Sequence, residues 1–227
     1  MEQKYLQQIE QPESKKKDKR LRWVVVIVIT LVAAIIAVAF GITCYQVKKN
    51  EEAVKIRKQQ EQATEEEIRR RNEYSKKLEQ VTYTMLSGAA DAESCCNLIR
   101  QVWSNAIYEK KDNATDKYTK PNGYFVADFN DALDNLYEDS DFQEQVNNIR
   151  ENQEIVRSLI KELVNPQEEF KEAYEILVEC YDTYLVFTKM AVNPSGSLNT
   201  FTDDFDDADT KFMHCYDRMG IYLPDTK

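Results

Sequence analysis

Residues 23–47 read WVVVIVITLVAAIIAVAFGITCYQV, 25 consecutive positions without a charged side chain. About 20 apolar residues suffice for a helix to cross a ~30 Å hydrocarbon core. One transmembrane helix is therefore expected here, with Trp23, Phe40 and Tyr45 as its membrane-anchoring aromatics and bilayer lipid as its partner. A cleaved secretory signal has an apolar region of about 7 to 15 residues and an Ala-x-Ala-like end. This run is longer and lacks that end. Cys44 follows Gly41, Ile42 and Thr43, not the Leu-small-small triplet that precedes a lipidated cysteine. An uncleaved signal-anchor is the reading. The mean hydropathy of the whole chain is −0.62 with the run included, so the remainder is expected to form a soluble body and the chain to cross once.

Cationic flanks of a span tend to stay in the cytoplasm. Lys15, Lys16, Lys17, Lys19, Arg20 and Arg22 precede the run, and Lys48, Lys49, Lys55, Arg57 and Lys58 follow it. The denser N-terminal cluster places residues 1–22 as a cytoplasmic tail in a cell membrane, with the C-terminal domain extracytoplasmic. A tail of that length is too short for a folded output domain.

Charge divides the rest. Residues 48–72 hold eight basic and six acidic side chains without Gly or Pro, and residues 73–227 hold 15 basic and 30 acidic ones. The first composition cannot bury a wide face. Glu65, Glu66 and Glu67 each stand four positions before Arg69, Arg70 and Arg71, the order that supports an exposed helix by a few tenths of a kcal/mol per pair. Residues 48–76 are read as a helical stalk, with the capacity to form a coiled coil, reaching about 40 Å at 1.5 Å per residue. The acidity of the second region disfavours nucleic-acid binding, which depends on Lys and Arg meeting phosphates.

From Leu78 the spacing becomes amphipathic. Leu78, Val81, Met85, Ala89, Ala92, Cys96, Ile99, Trp103 and Ala106 recur by threes and fours, a buried helical stripe. The segment DNATDKYTKPNG then gathers turn formers into a loop. Phe125, Phe129, Leu133 and Leu136 form a second apolar set, and Ser140-Asp141-Phe142-Gln143 resembles a capping box. The next stripe is Phe142, Val146, Ile149, Val156, Ile160 and Leu163. Asn165-Pro166-Gln167-Glu168 combines a capping residue, a first-turn proline and an acid, which predicts a helix start. That helix is expected to bury Phe170, Tyr174, Leu177, Tyr181, Tyr184 and Ala191, until Asn193-Pro194-Ser195-Gly196-Ser197 breaks it. Phe201, Phe205, Ala208, Phe212, Cys215, Tyr216 and Met219 mark the last helix, with Gly220 as its cap. No strand-like alternation is sustained. The fold class is all-α: one N-terminal transmembrane helix, a charged stalk, and an antiparallel bundle of four to five helices over residues 77–222, with 223–227 as a tail.

Cys95, Cys96, Cys180 and Cys215 are the candidate disulfide cysteines, an even number outside the cytoplasm. The expected bridge joins the first bundle helix to Cys180 or Cys215; the alternative is four small buried hydrophobes. Neighbouring cysteines lack the C-x₂₋₄-C spacing of zinc sites, and His214 is the one histidine. Asp203-Asp204-Phe205-Asp206-Asp207-Ala208-Asp209 lacks the Gly and Glu of an EF-hand loop, so a solvated helix face is expected. The carboxylates of Asp128, Asp131, Asp134, Glu138, Asp139 and Asp141 are likewise read as a solvated face, with no base or cleft to make them glycosidic. Asn113-Ala114-Thr115 matches a glycosylation sequon. No nucleotide-binding, hydrolase or metalloprotease pattern occurs, and no cofactor is expected. The functional expectation is a non-enzymatic interaction or scaffold module at the outer membrane face, with a protein partner or a second copy as its counterpart. The alternative is a small-ligand sensor using a tyrosine-lined pocket and a membrane partner.

Overall fold

The structure is a computed structural model that describes residues 13–223, with side chains from Lys19 onward. Residues 1–12 of the expected tail and 224–227 at the other end lie outside the described residues. Six α-helices and no strand occur among the described residues: α1 (Glu13–Ile107), α2 (Asp116–Thr119), α3 (Phe129–Glu138), α4 (Ser140–Lys161), α5 (Lys171–Val192) and α6 (Leu198–Met219). The chain divides into two compact units, Met1–Ile68 and Arg69–Lys227.

In the first unit the described residues are all helix. Its apolar window reaches a mean hydropathy of 3.1 and none of it is buried by protein, so one segment of α1 is long and apolar enough to cross a membrane. Its few hydroxyls are satisfied locally. Thr30 donates to the carbonyls of Val26 and Ile27 at 3.1 and 2.8 Å, and Thr43 to that of Phe40 at 2.8 Å. Such back-bonding removes the cost of placing a hydroxyl in hydrocarbon. Beyond the span, Val54, Ile56 and Ile68 are exposed and Arg57 pairs with Glu61 at 3.0 Å, as a solvated helix requires.

The second unit is an up-down-up-down bundle. Tyr74 of α1 lies tilted against Phe170 at 4.5 Å and donates to the Leu163 carbonyl at 3.1 Å. Lys77 meets Glu162 at 2.7 Å, while Cys95, further along α1, meets Gln145, so α4 runs antiparallel to α1. Tyr184 lies beside Gly88, which makes α5 parallel to α1. Trp103 lies beside Phe201 and Arg100 beside Asp206, so α6 returns antiparallel. The packed unit recruits residues read as stalk: Tyr74 does so through Phe170, and Arg71 through a 2.6 Å pair with Glu169.

The apolar stripes read from the sequence form the core. Every member of the α1 stripe is buried, together with Cys95 and Val102, as is the whole stripe from Phe142 to Leu163. In α5 the buried line is Ala173, Ile176, Leu177, Cys180, Tyr184, Phe187, Thr188 and Ala191; Phe170, Tyr174 and Tyr181 lie at its half-buried margin. In α6 it is Phe201, Phe205, Ala208, Phe212, Cys215 and Met219, with Tyr216 half-buried. Phe187 ties the two helices together, stacked on Phe205 at 5.8 Å and tilted against Phe212 at 6.3 Å.

Two helix starts differ from expectation. The cap of α4 is Asp139, one residue before Ser140: its carboxylate accepts from Asp141 and Phe142 N–H, both at 3.2 Å. A carboxylate beside a helix N-terminus is favoured by both geometry and dipole. Asn165 does not cap α5. It adopts φ +65°, a left-handed conformation that asparagine tolerates, and α5 begins at Lys171 after a short 3₁₀ turn, Glu168–Phe170. The predicted loop after α1 contains one helical turn, α2.

Candidate functional site

The last turns of α5 and the first turns of α6 splay around an open groove of about 570 Å³. It is built by the hairpin between them. Gly196 takes φ +94°, a conformation glycine adopts without strain, and Ser197 Oγ accepts from the Thr200 N–H at 3.2 Å to start α6. Pro194 cannot donate to a continuing helix. The groove lies at the end of the bundle marked by Trp103, opposite the end where Tyr74 packs.

Helical spacing selects its lining. Asp182, Val186 and Lys189 follow one face of α5, and Asp204, Asp207 and Lys211 one face of α6. Val186 is 59% exposed and Met190 half-buried, so part of the wall is apolar and open to solvent. Phe201 closes the floor. Behind it Trp103 is buried, tilted against Phe201 at 5.8 Å and stacked on Phe129 at 5.5 Å. Its Nε1 has no hydrogen-bond partner among the described residues.

The charges are not all matched internally. Lys211 binds Asp207 at 2.6 Å. Asp182, Asp204 and Lys189 are exposed and none takes part in the ion pairs formed among the described residues. Two acidic groups and one basic group thus line the groove without an ion-pair partner among the described residues. The rest of the Asp-rich face of α6 has a structural part: Asp206 meets Arg100 at 3.3 Å, and the Arg100 guanidinium also lies 5.3 Å from the centre of the Phe205 ring.

Two members of the other acidic cluster, Asp128 and Asp139, cap helices. Asp128 accepts from the Asn130 N–H at 2.9 Å, and Asp139 caps α4 while meeting Lys117 at 2.8 Å. The Lys117 hydrogen bond, together with the backbone donors of Phe142 and Asp141, holds the Asp139 carboxyl below its ordinary range. Asp112 is also lowered, chiefly by the Ala114 N–H. In the sequon, Asn113 is exposed, whereas Thr115 is buried and accepts from Asn105 Nδ2 at 2.9 Å.

Among the candidate disulfide residues, all of Cys95, Cys96, Cys180 and Cys215 are free and buried, and Cys44 is free and exposed. Cys95 Sγ donates to Gln145 Oε1 at 3.5 Å. Burial pushes the Cys95 thiol up to about 11 and that of Cys96 up to about 12. Cys180 and Cys215 lie on the buried lines of α5 and α6, between the Tyr184–Phe212 contact and the Glu179–Arg218 ion pair, and burial raises the Cys180 thiol above its ordinary value. His214 is exposed while Cys215 is buried, so this adjacent pair does not make a thiol and base. Among the described residues no group of three His, Cys, Asp or Glu side chains is placed to hold a metal ion. Trp23, Phe40 and Tyr45 are exposed on α1.

Tyr184 is not a pocket residue. It is fully buried, and its hydroxyl donates to Asn152 Oδ1 at 2.6 Å, while Asn152 Nδ2 donates to the Thr84 carbonyl at 3.1 Å. This polar pin joins α1, α4 and α5 beside Gly88. The groove itself had only an indirect sequence signal, the Asn193-to-Ser197 breaker. Its lining depends on which faces of α5 and α6 stay uncovered once they pair.

No protein-family model matches the chain, nor does any curated protein or solved structure.

Proposed function

We propose that the chain is a single-pass, membrane-anchored, non-enzymatic interaction module whose α5–α6 groove receives a basic segment of a partner protein. In this reading residues 1–22 lie in the cytoplasm, residues 23–47 cross the cell membrane, and the bundle faces outward. The observation that carries the reading is the open groove, lined by exposed Val186 together with Asp182 and Asp204, neither of which forms an ion pair among the described residues. An apolar contact flanked by unpaired carboxylates suits a segment that presents Lys or Arg beside an aliphatic or aromatic side chain. The surrounding field has the same sign, with a net charge of −15 over residues 73–227. Two such domains repel one another, which favours a basic partner over a second copy.

A photo-crosslinking amino acid at position 186 of the full-length protein tests this in intact cells. The crosslinked peptide is expected to come from another protein and to carry Lys or Arg, with its yield reduced by raised salt and by the Asp182→Asn/Asp204→Asn double variant. A full-length protein that is strictly monomeric and yields no crosslink, or crosslinks only to its own chain, overturns the proposal.

One observation favours the small-ligand sensor as a second reading: about 570 Å³ falls within the ~300–1,000 Å³ typical of ligand pockets. Metabolite-specific rises in melting temperature of the full-length protein, absent in Val186→Asp, would select it.

A further inference from the structure

We propose that Cys180 and Cys215 are a disulfide-forming pair that joins α5 to α6. The inference does not depend on the groove or on its occupant.

Packing sets the two residues at one level of the α5–α6 interface. Cys180 belongs to the buried line of α5 and Cys215 to that of α6. They are 1% and 3% exposed, and the register of the antiparallel pair sets them at one level: Tyr184 lies against Phe212 at 6.2 Å on one side, and Glu179 pairs with Arg218 at 2.7 Å on the other. Among α2 to α6, no helix pair is in more extensive contact than α5 and α6, and Phe187 holds it in register by touching both Phe205 and Phe212. Cys95 instead meets the Gln145 amide of α4, so a bridge from Cys95 to Cys180 or Cys215 breaks a contact that a Cys180–Cys215 bridge leaves in place.

The oxidant is a small disulfide or a disulfide-exchange protein. One cysteine thiolate attacks a sulfur of the oxidant, forming a mixed disulfide and expelling the first thiolate. The second cysteine thiolate then attacks the protein-side sulfur of that mixed disulfide, which breaks the mixed bond, forms Sγ–Sγ and expels the second thiolate. Two protons leave the cysteines, and the two electrons end on the oxidant as two reduced thiols. Burial holds the Cys180 thiol well above its ordinary value, so attack is slow in the packed bundle. The bond therefore forms as α5 and α6 dock during folding. Burial then shields it.

The test uses the full-length chain in detergent micelles, unfolded, refolded in a buffer of oxidised and reduced glutathione, quenched with an alkylating reagent and mapped by non-reducing proteolysis and mass spectrometry. The expected product links the Cys180 and Cys215 peptides and leaves Cys44, Cys95 and Cys96 alkylated. Its melting temperature is expected to exceed that of the reduced chain by about 5–15 °C, from the entropy of closing the intervening loop. Cys180→Ala should abolish both the linked peptide and the shift, whereas Cys95→Ala should retain them. Alkylation of all five cysteines, or linkage of Cys95 or Cys96 to either partner, overturns the inference. So does a linked product that melts no higher than the reduced chain.

Discussion

Gly88 shows how one missing methyl group permits a three-helix contact. A Cβ added there would stand 2.8 Å from the Tyr184 hydroxyl and closer still to Asn152 Oδ1, below any ordinary carbon–oxygen separation. Gly88→Ala is therefore expected to destabilise the bundle by about 1–3 kcal/mol, although alanine is the better helix former. Thermal melting of the full-length protein checks this; an unchanged or raised midpoint would refute it. Tyr184→Phe tests the same pin from the other side. It removes the donor to Asn152 Oδ1 at a half-buried site, at an expected cost of about 1 kcal/mol, while keeping the ring against Phe212. Asp139 adds a pH dependence. Its folded-state pKa is lowered, so its contribution is complete above the ordinary carboxylate value of about 4 and is lost as pH falls through the lower folded value. Asp139→Asn, which keeps a capping oxygen, is expected to flatten that part of the stability profile below pH 4. A profile identical to the parent protein would contradict this.

At the scale of elements, the stripes in α1, α4, α5 and α6 were legible because helical burial repeats every three to four residues and aromatic and aliphatic side chains mark it. The helix starts were less so. Asp139 and Ser140 both carry capping oxygens, and only the backbone turn decides between them. Asn165-Pro166 has the composition of a cap, yet the tight exit from α4 needs a left-handed residue at Asn165. The groove was hidden for a different reason. Its residues are those that α5 and α6 fail to cover in each other, a property of the pair. Likewise, the cysteines could be named, but that Cys180 and Cys215 share one level of the α5–α6 interface required the helix register. Because Val186 is 59% exposed, Val186→Asp is expected to change stability by no more than about 0.5 kcal/mol while eliminating crosslinking from a probe placed at the neighbouring Met190. Loss of stability together with loss of crosslinking would mean that the wall is structural.

For the whole molecule, the proposed reading rests on the contrast between one uncharged run long and apolar enough to cross a membrane and one acidic helical bundle. The run has no protein surface against it, whereas the bundle supplies its own core through the buried faces of its helices. The charge bias across the run is the basis for the proposed direction of insertion, and each functional proposal for the groove assumes that direction. Protease added to intact cells measures it most directly. The account predicts that the region from Arg69 onward is digested while the N-terminal tail survives; protection of that region until the membrane is opened would contradict an outward-facing bundle.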